Sequence, residues 1–220
     1  MNAILYLLKT GCQWRMIPGN FASWESVYYY FSKWKNEGIF EEILDKLRSM
    51  VRIRFGRNES PSMSIIDSRS VRTSHHVDSV RRLDGNKKIK GRKQHIIVDS
   101  QSYLMSVTVH EANIHDSKAA YLLMRVLKEP CSEIKVILAD GGYRGELVEN
   151  VKNKFGYVIQ VVISAYKEQG FKPIHKRWIV ERTFSWMENY RRLCRNYELT
   201  FDSAEEMVKI SATKLLLKKI

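Results

Sequence analysis

The chain has 220 residues, enough for one substantial core or for an ordinary domain with a small appendage. Its 37 Lys and Arg against 24 Asp and Glu leave a formal charge of +13, more than solubility requires, so an acidic polymer is the natural partner. A membrane surface would also attract this charge, but the sequence has no basic amphipathic helix or lipid-attachment signal, and nucleic acid is favoured.

The first part of the chain, to about Arg57, reads as helical. An apolar helix from Asn2 to Lys9 stops at Gly11, Ser23 caps a second through Lys35 that ends near Gly38, and a third runs from about Phe40 to Arg54. Trp14, Trp24, Tyr28, Tyr29, Tyr30, Phe31 and Trp34, with Arg15, Lys33 and Lys35 among them, suit either a small aromatic core or a helical DNA-binding module. The run Ala3 to Leu8 is too short for a secretory signal, nothing later approaches a membrane span, and Cys12, Cys131 and Cys194 form no Cys-x-x-Cys pair. A reducing cytoplasm fits. The first helix begins at once, without a cap, so an N-terminal piece is expected to be missing.

From Met63 strands and helices alternate. Met63 to Asp67 is a short strand, and Gln94 to Val98 with Tyr103 to His110 form a hairpin. A helix from Asp116 to about Leu127, a strand Ile134 to Ala139, a helix Arg144 to Phe155 and a strand Tyr157 to Ile163 follow. This order predicts an α/β fold, a mixed sheet covered by helices, over residues 58–220, behind a helical region 1–57. The stretch Ser68 to Lys93 reads as a long basic loop in which Lys90, Arg92 and Lys93, with Arg69, Arg72, Arg81, Arg82, Lys87 and Lys88, make a strip for phosphate contact.

The chemistry is expected where carboxylates end strands. Asp67 follows Ser-Ile-Ile, and Asp140 follows Val-Ile-Leu-Ala and precedes Gly141 and Gly142, which permit a sharp turn. A last long helix from Lys176 to about Tyr197 buries Ile179, Thr183, Trp186, Met187, Tyr190, Leu193, Cys194 and Tyr197, while Glu181 points the other way with Ser185, Glu188, Arg192 and Arg195. Together the three carboxylates offer the hard oxygen ligands that Mg²⁺ or Mn²⁺ prefers. The histidines lack metal-ligand spacing and read as structural, Asp99 as a turn residue and Asp116 as a helix cap.

The residues around these positions resemble a known family. Gly91-Arg92-Lys93-Gln94-His95, Ala112-Asn113-Ile114-His115-Asp116, Ala139-Asp140-Gly141-Gly142-Tyr143-Arg144-Gly145, Arg177 to Trp186 and Tyr190-Arg191-Arg192-Leu193 are similar to motifs of bacterial insertion-sequence transposases of the "insertion sequence five" group. These belong to the DDE superfamily. Thr10 to Pro18 and Tyr28-Tyr29-Tyr30-Phe31 resemble their end-binding region, so the likeness covers nearly the whole chain.

The resemblance implies an RNase H-like domain with strand order 3-2-1-4-5 and a catalytic triad of Asp67, Asp140 and Glu181 holding two Mg²⁺ or Mn²⁺ ions. Asp67 would bridge them, with Asp140 completing one site and Glu181 the other. Arg177 matches a family cation, whereas Ile174 and Glu188 stand where a tyrosine and a second cation are usual; Arg191 or Arg192 is then the substitute and Glu188 the reserve carboxylate. Arg144, beside the Asp140 turn, joins Lys90, Arg92 and Lys93 as an expected DNA contact. The implied activity is metal-dependent strand cleavage and strand transfer on double-stranded DNA, by a homodimer in the bacterial cytoplasm at the nucleoid. A nuclease without strand joining and a shortened, non-catalytic DNA binder are the alternatives.

Overall fold

A computed structural model describes residues 1–74, 82–85, 88–114, 116–127, 133–143, 145–162 and 178–220. Three helices come first: α1 (Asn2–Thr10), α2 (Trp24–Asn36) and α3 (Ile39–Arg54). Their ends follow the sequence signals. Gly11 closes α1 in the left-handed region at φ 72°, and the Ser23 hydroxyl accepts the Ser26 N–H at 3.4 Å to open α2.

Six strands form one mixed sheet: β1 (Met63–Arg72), β2 (Arg82–Leu83), β3 (Lys90–Asp99), β4 (Leu104–Glu111), β5 (Val136–Ala139) and β6 (Val158–Val161). β3 runs antiparallel between β1 and β4, and β1, β5 and β6 are parallel. With the two-residue β2 set aside, the order β4-β3-β1-β5-β6 is the predicted 3-2-1-4-5 arrangement. The strands at Ser68 to Lys93 differ from expectation. β1 continues to Arg72 and β3 starts at Lys90, so both ends of the predicted loop are sheet. The register explains this: Asp67 to Arg72 pair with Ile96 back to Gly91, and a Cβ on Gly91 would stand 2.1 Å from the Val71 carbonyl oxygen. Glycine lets the two backbones close.

Alternation sends successive residues to opposite faces. Ile66, Ile97, Ile137 and Ala139 pack under α4 (Asp116–Leu127) and α5 (Glu146–Phe155). Ile65, Ile96, Val98 and Leu138 join a second core with the N-terminal helices, α6 (Trp178–Glu188) and α8 (Phe201–Leu217). Helices therefore cover both faces. The core on the second face runs without interruption from Ile4 through Leu44 to Met207, so α1 and α3 are packed into it.

The predicted helix Lys176 to Tyr197 is two helices in its described part, α6 and the short α7 (Arg191–Cys194). Asn189 ends α6 by donating its side-chain amide to the carbonyls of Ser185 and Trp186, and Tyr190 turns extended. Nor is it the last long helix. α8 follows, opened by Thr200, whose hydroxyl accepts the Ser203 N–H at 3.2 Å.

Candidate functional site

The two strand aspartates meet at the same level. β1 and β5 pair in parallel as Met63 with Val136, Ser64 with Ile137 and Ile65 with Leu138; two residues further along each strand stand Asp67 and Asp140. There the strands part. β1 goes on beside β3, and β5 ends at Ala139 in the Gly141-Gly142 turn, which leaves a crevice at the carboxyl end of the sheet. Asp67 thus lies within β1 and not at its end, as the sequence had suggested; the edge it marks is that of the β1–β5 pairing.

Each carboxylate is held by nearby backbone. Asp67 Oδ1 accepts the Ser68 N–H at 2.7 Å, and Asp140 Oδ1 accepts the Gly142 N–H at 2.9 Å. Beneath them Tyr143 is buried, and its phenol is pushed well above the usual tyrosine range, first by burial and then by the charges of Asp67, Asp116 and Asp140. Three acids therefore converge on one phenol.

Glu181 sits in the first turn of α6, exposed, on the face of the sheet toward which Asp67 alternates. Arg69, two residues beyond Asp67, ties that face to α6: its guanidinium donates to the Phe184 carbonyl at 3.4 Å, lies 5.3 Å from the Phe184 ring and pairs with Glu188 at 3.7 Å. Burial pulls Arg69 down to about 10, which leaves it charged at neutral pH. Glu188, the reserve carboxylate, is thus engaged by Arg69. Among the described residues no group of three His, Cys, Asp or Glu side chains is placed to hold a metal ion; Asp67 and Asp140 stand at the parting of β1 and β5, and Glu181 stands on α6.

Asp116 is the residue the sequence undervalued. It opens α4 as predicted, but its Oδ1 accepts from Lys93 Nζ at 2.9 Å and from the Ser68 hydroxyl at 3.4 Å, and faces His95 Nε2 at 3.3 Å. Burial alone would raise its carboxyl, but hydrogen bonds from His95 and Lys93 outweigh this and hold it far below the usual range.

The expected DNA cations divide. Arg92 is fully buried: its guanidinium donates to the carbonyls of Glu198, Leu199 and Thr200 and lies 4.5 Å from the Phe201 ring, so it organises the loop before α8. Lys93 is buried against Asp116 and, at 3.7 Å, Asp84. Arg192 is buried too, donating to Glu198 Oε1 and to the Cys12 carbonyl, each at 2.7 Å. None of these three presents its charge to a phosphate. Lys90 and Arg191 are exposed, and Arg144 and Arg177 lie outside the described residues. Exposed Arg72 and Arg195 instead flank a groove of about 480 Å³ between β1 and α7, which also contains Arg69 and Glu188.

The sheet order β4-β3-β1-β5-β6, with helices on both faces, is that of an RNase H-like fold. The chain belongs to the DDE transposase family, whose model, described as "Transposase DDE domain", matches residues 58–217. A second model, described as "Putative transposase of IS4/5 family", matches residues 1–44. A curated relative, the "Putative transposase for insertion sequence element IS402" of Burkholderia cepacia, is 27% identical over 128 residues, which span 54% of this chain and 60% of that protein. Solved structures with some likeness include the Mos1 mariner paired-end complex with Mn, at TM-score 0.39 and 12% identity over 98% of this chain and 75% of that one. The piggyBac synaptic complex with hairpin DNA aligns at TM-score 0.33 and 16% identity over 52% of this chain and 25% of that one. No helix among the described residues is long and apolar enough to cross a membrane.

Proposed function

We propose that this chain cleaves the ends of a bacterial insertion sequence and joins them to target DNA, using Asp67, Asp140 and Glu181 around two divalent ions. The observation that carries this reading is the placement of Asp67 and Asp140 at one level on adjoining parallel strands. Their oxygen donors, with no thiolate or imidazole needed, suit Mg²⁺ or Mn²⁺. When bound, such a pair of ions activates the attacking hydroxyl and stabilises the leaving oxygen. Asp67, Asp140 and Glu181 would together supply the oxygen ligands that hold the ions.

Arg72 and Arg195 line the groove leading from β1 and take up the phosphates of the strand, with Lys90, Arg191, Arg144 and Arg177 as further contacts. The helical region 1–57 binds the element end, and two copies hold two ends together in the cytoplasm, at the nucleoid. The test is a supercoiled plasmid incubated with Mg²⁺ or Mn²⁺, followed for nicking and for strand transfer of an end fragment. Asp67→Asn and Asp140→Asn are expected to abolish both while duplex binding persists. Full metal-dependent nicking by Asp67→Asn would reject the assignment.

The alternative is a chain that binds ends without cutting. Wild-type protein that shifts a DNA duplex but never nicks it would decide for that reading.

A further inference from the structure

We infer that Asp116 is a positioning residue for the Asp67–Asp140 pair, one that sets the distance between the two carboxylates without touching the reacting atoms. The inference rests on the metal-site reading above. It begins with what surrounds Asp116. Its Oδ1 is fixed from β3 by Lys93 at 2.9 Å, faces His95 Nε2 at 3.3 Å, and receives the hydroxyl of Ser68, the residue after Asp67. Its Oδ2 faces the turn that carries Asp140. A Cβ placed on Gly142 would lie 3.5 Å from Asp116 Oδ2 and 3.1 Å from Asp140 Oδ1, so Gly142 turns its open side to both carboxylates. One side chain therefore reaches from the strand beside Asp67 toward the turn beside Asp140.

The β3 residues that face it are themselves fixed. His110 Nδ1 lies 2.7 Å from the Glu111 carbonyl oxygen, which can only accept, so that nitrogen carries a proton. Burial lowers His110 to about 4, so the ring is neutral and its Nε2 accepts from His95 Nδ1 at 2.8 Å. His95 Nε2 then faces Asp116 Oδ1 at 3.3 Å. Lys93 and His95 are both buried on β3, a strand register-locked to β1. The chain His110–His95–Asp116 thus transmits the rigidity of the β3–β4 hairpin to the crevice. A cap aspartate alone would not need it.

The experiment measures Mn²⁺ binding to the full chain without DNA, from the electron paramagnetic resonance signal of the free ion. Asp116→Asn is expected to weaken Mn²⁺ binding by about 10- to 100-fold, the range typical of residues that orient metal ligands. Gly142→Ala is expected to do the same by a different route, because its methyl displaces the turn while the Lys93–Asp116 pair stays intact. Circular dichroism of both variants confirms folding, and should Asp116→Asn fail to fold, Gly142→Ala decides. Wild-type affinity in a folded Asp116→Asn or Gly142→Ala protein, with binding lost in Asp67→Asn, overturns the inference and leaves the metal site standing. Manganese binding that Asp67→Asn does not weaken overturns the metal-site reading and this inference with it.

Discussion

Replacing Lys93 by methionine separates two roles that the sequence could not tell apart. In the structure its ammonium is buried and spends its hydrogen bonds on Asp116 at 2.9 Å and the Ile114 carbonyl at 3.4 Å, with Asp84 at 3.7 Å. Asp84 is itself 2% exposed, so the substitution strips a cation from two carboxylates, one of them deeply buried. Removing one partner of a buried ion pair costs about 3 to 5 kcal/mol. For a chain of this size each kcal/mol lowers the melting temperature by about 2 to 4 °C, so Lys93→Met should melt roughly 6 to 20 °C below wild type. Binding to a duplex, measured as affinity against salt, should keep its slope, because no phosphate contact is lost. Lys90→Met is the control: exposed at the start of β3, it should lower the slope by about 0.9 and change stability by less than about 0.5 kcal/mol. Urea denaturation and fluorescence anisotropy at several salt concentrations read both quantities. A Lys93→Met protein as stable as wild type, with a slope reduced by about one, would show that Lys93 faces DNA and that the buried cluster is misassigned.

Arg92→Lys should cost about 2 to 4 kcal/mol in urea denaturation with no change in salt slope, because an ammonium cannot reproduce the planar fork that serves three consecutive carbonyls. Gly91→Ala should leave little folded protein on expression, since the added methyl carbon would sit 2.1 Å from the Val71 oxygen. For His110, burial foremost, aided by the charges of His95 and Lys93 and opposed by the Glu111 carbonyl, lowers the imidazole from 6.5 to about 4. The unfolded chain therefore binds the extra proton first, and stability present above about pH 6.5 is lost as pH falls toward 4, by about 3 kcal/mol in all. His110→Gln should flatten that part of the profile; a profile as steep as wild type would place the titration elsewhere.

The positions of Asp67 and Asp140 at the end of the β1–β5 pairing are legible in the sequence and the surroundings of the cations are not, and the difference is physical. Asp67 and Asp140 each close an apolar run whose alternation and length announce a buried strand, so the polar residue that interrupts it has to lie at an opening of the sheet. Neighbouring residues suffice for that inference. The fate of Arg92 or Lys93 depends on partners far along the chain: the carbonyls of 198–200 for one, Asp84 and Asp116 for the other. A run of five residues with two cations looks like a solvated loop until β1 is known to extend to Arg72, where alternation sends Arg92 to one core and Lys93 to the other.

The same reasoning explains why Asp116 was read as a cap. Its position at the start of an amphipathic helix satisfies a local rule, and the residues that meet its Oδ1 belong to β1 and β3. α8 is the opposite case. Thr200, Asp202 and the spacing of Ala204, Met207, Val208 and Ser211 are sufficient local signals for a helix that the sequence reading does not include. Of the 37 Lys and Arg, Lys93, Arg92 and Arg192, like Arg48 and Arg52, are buried in internal pairings. The positive charge left for an external phosphate therefore depends on which cations are exposed, and Arg72 and Arg195 beside the β1 groove are better placed for it than buried Arg92, Lys93 and Arg192.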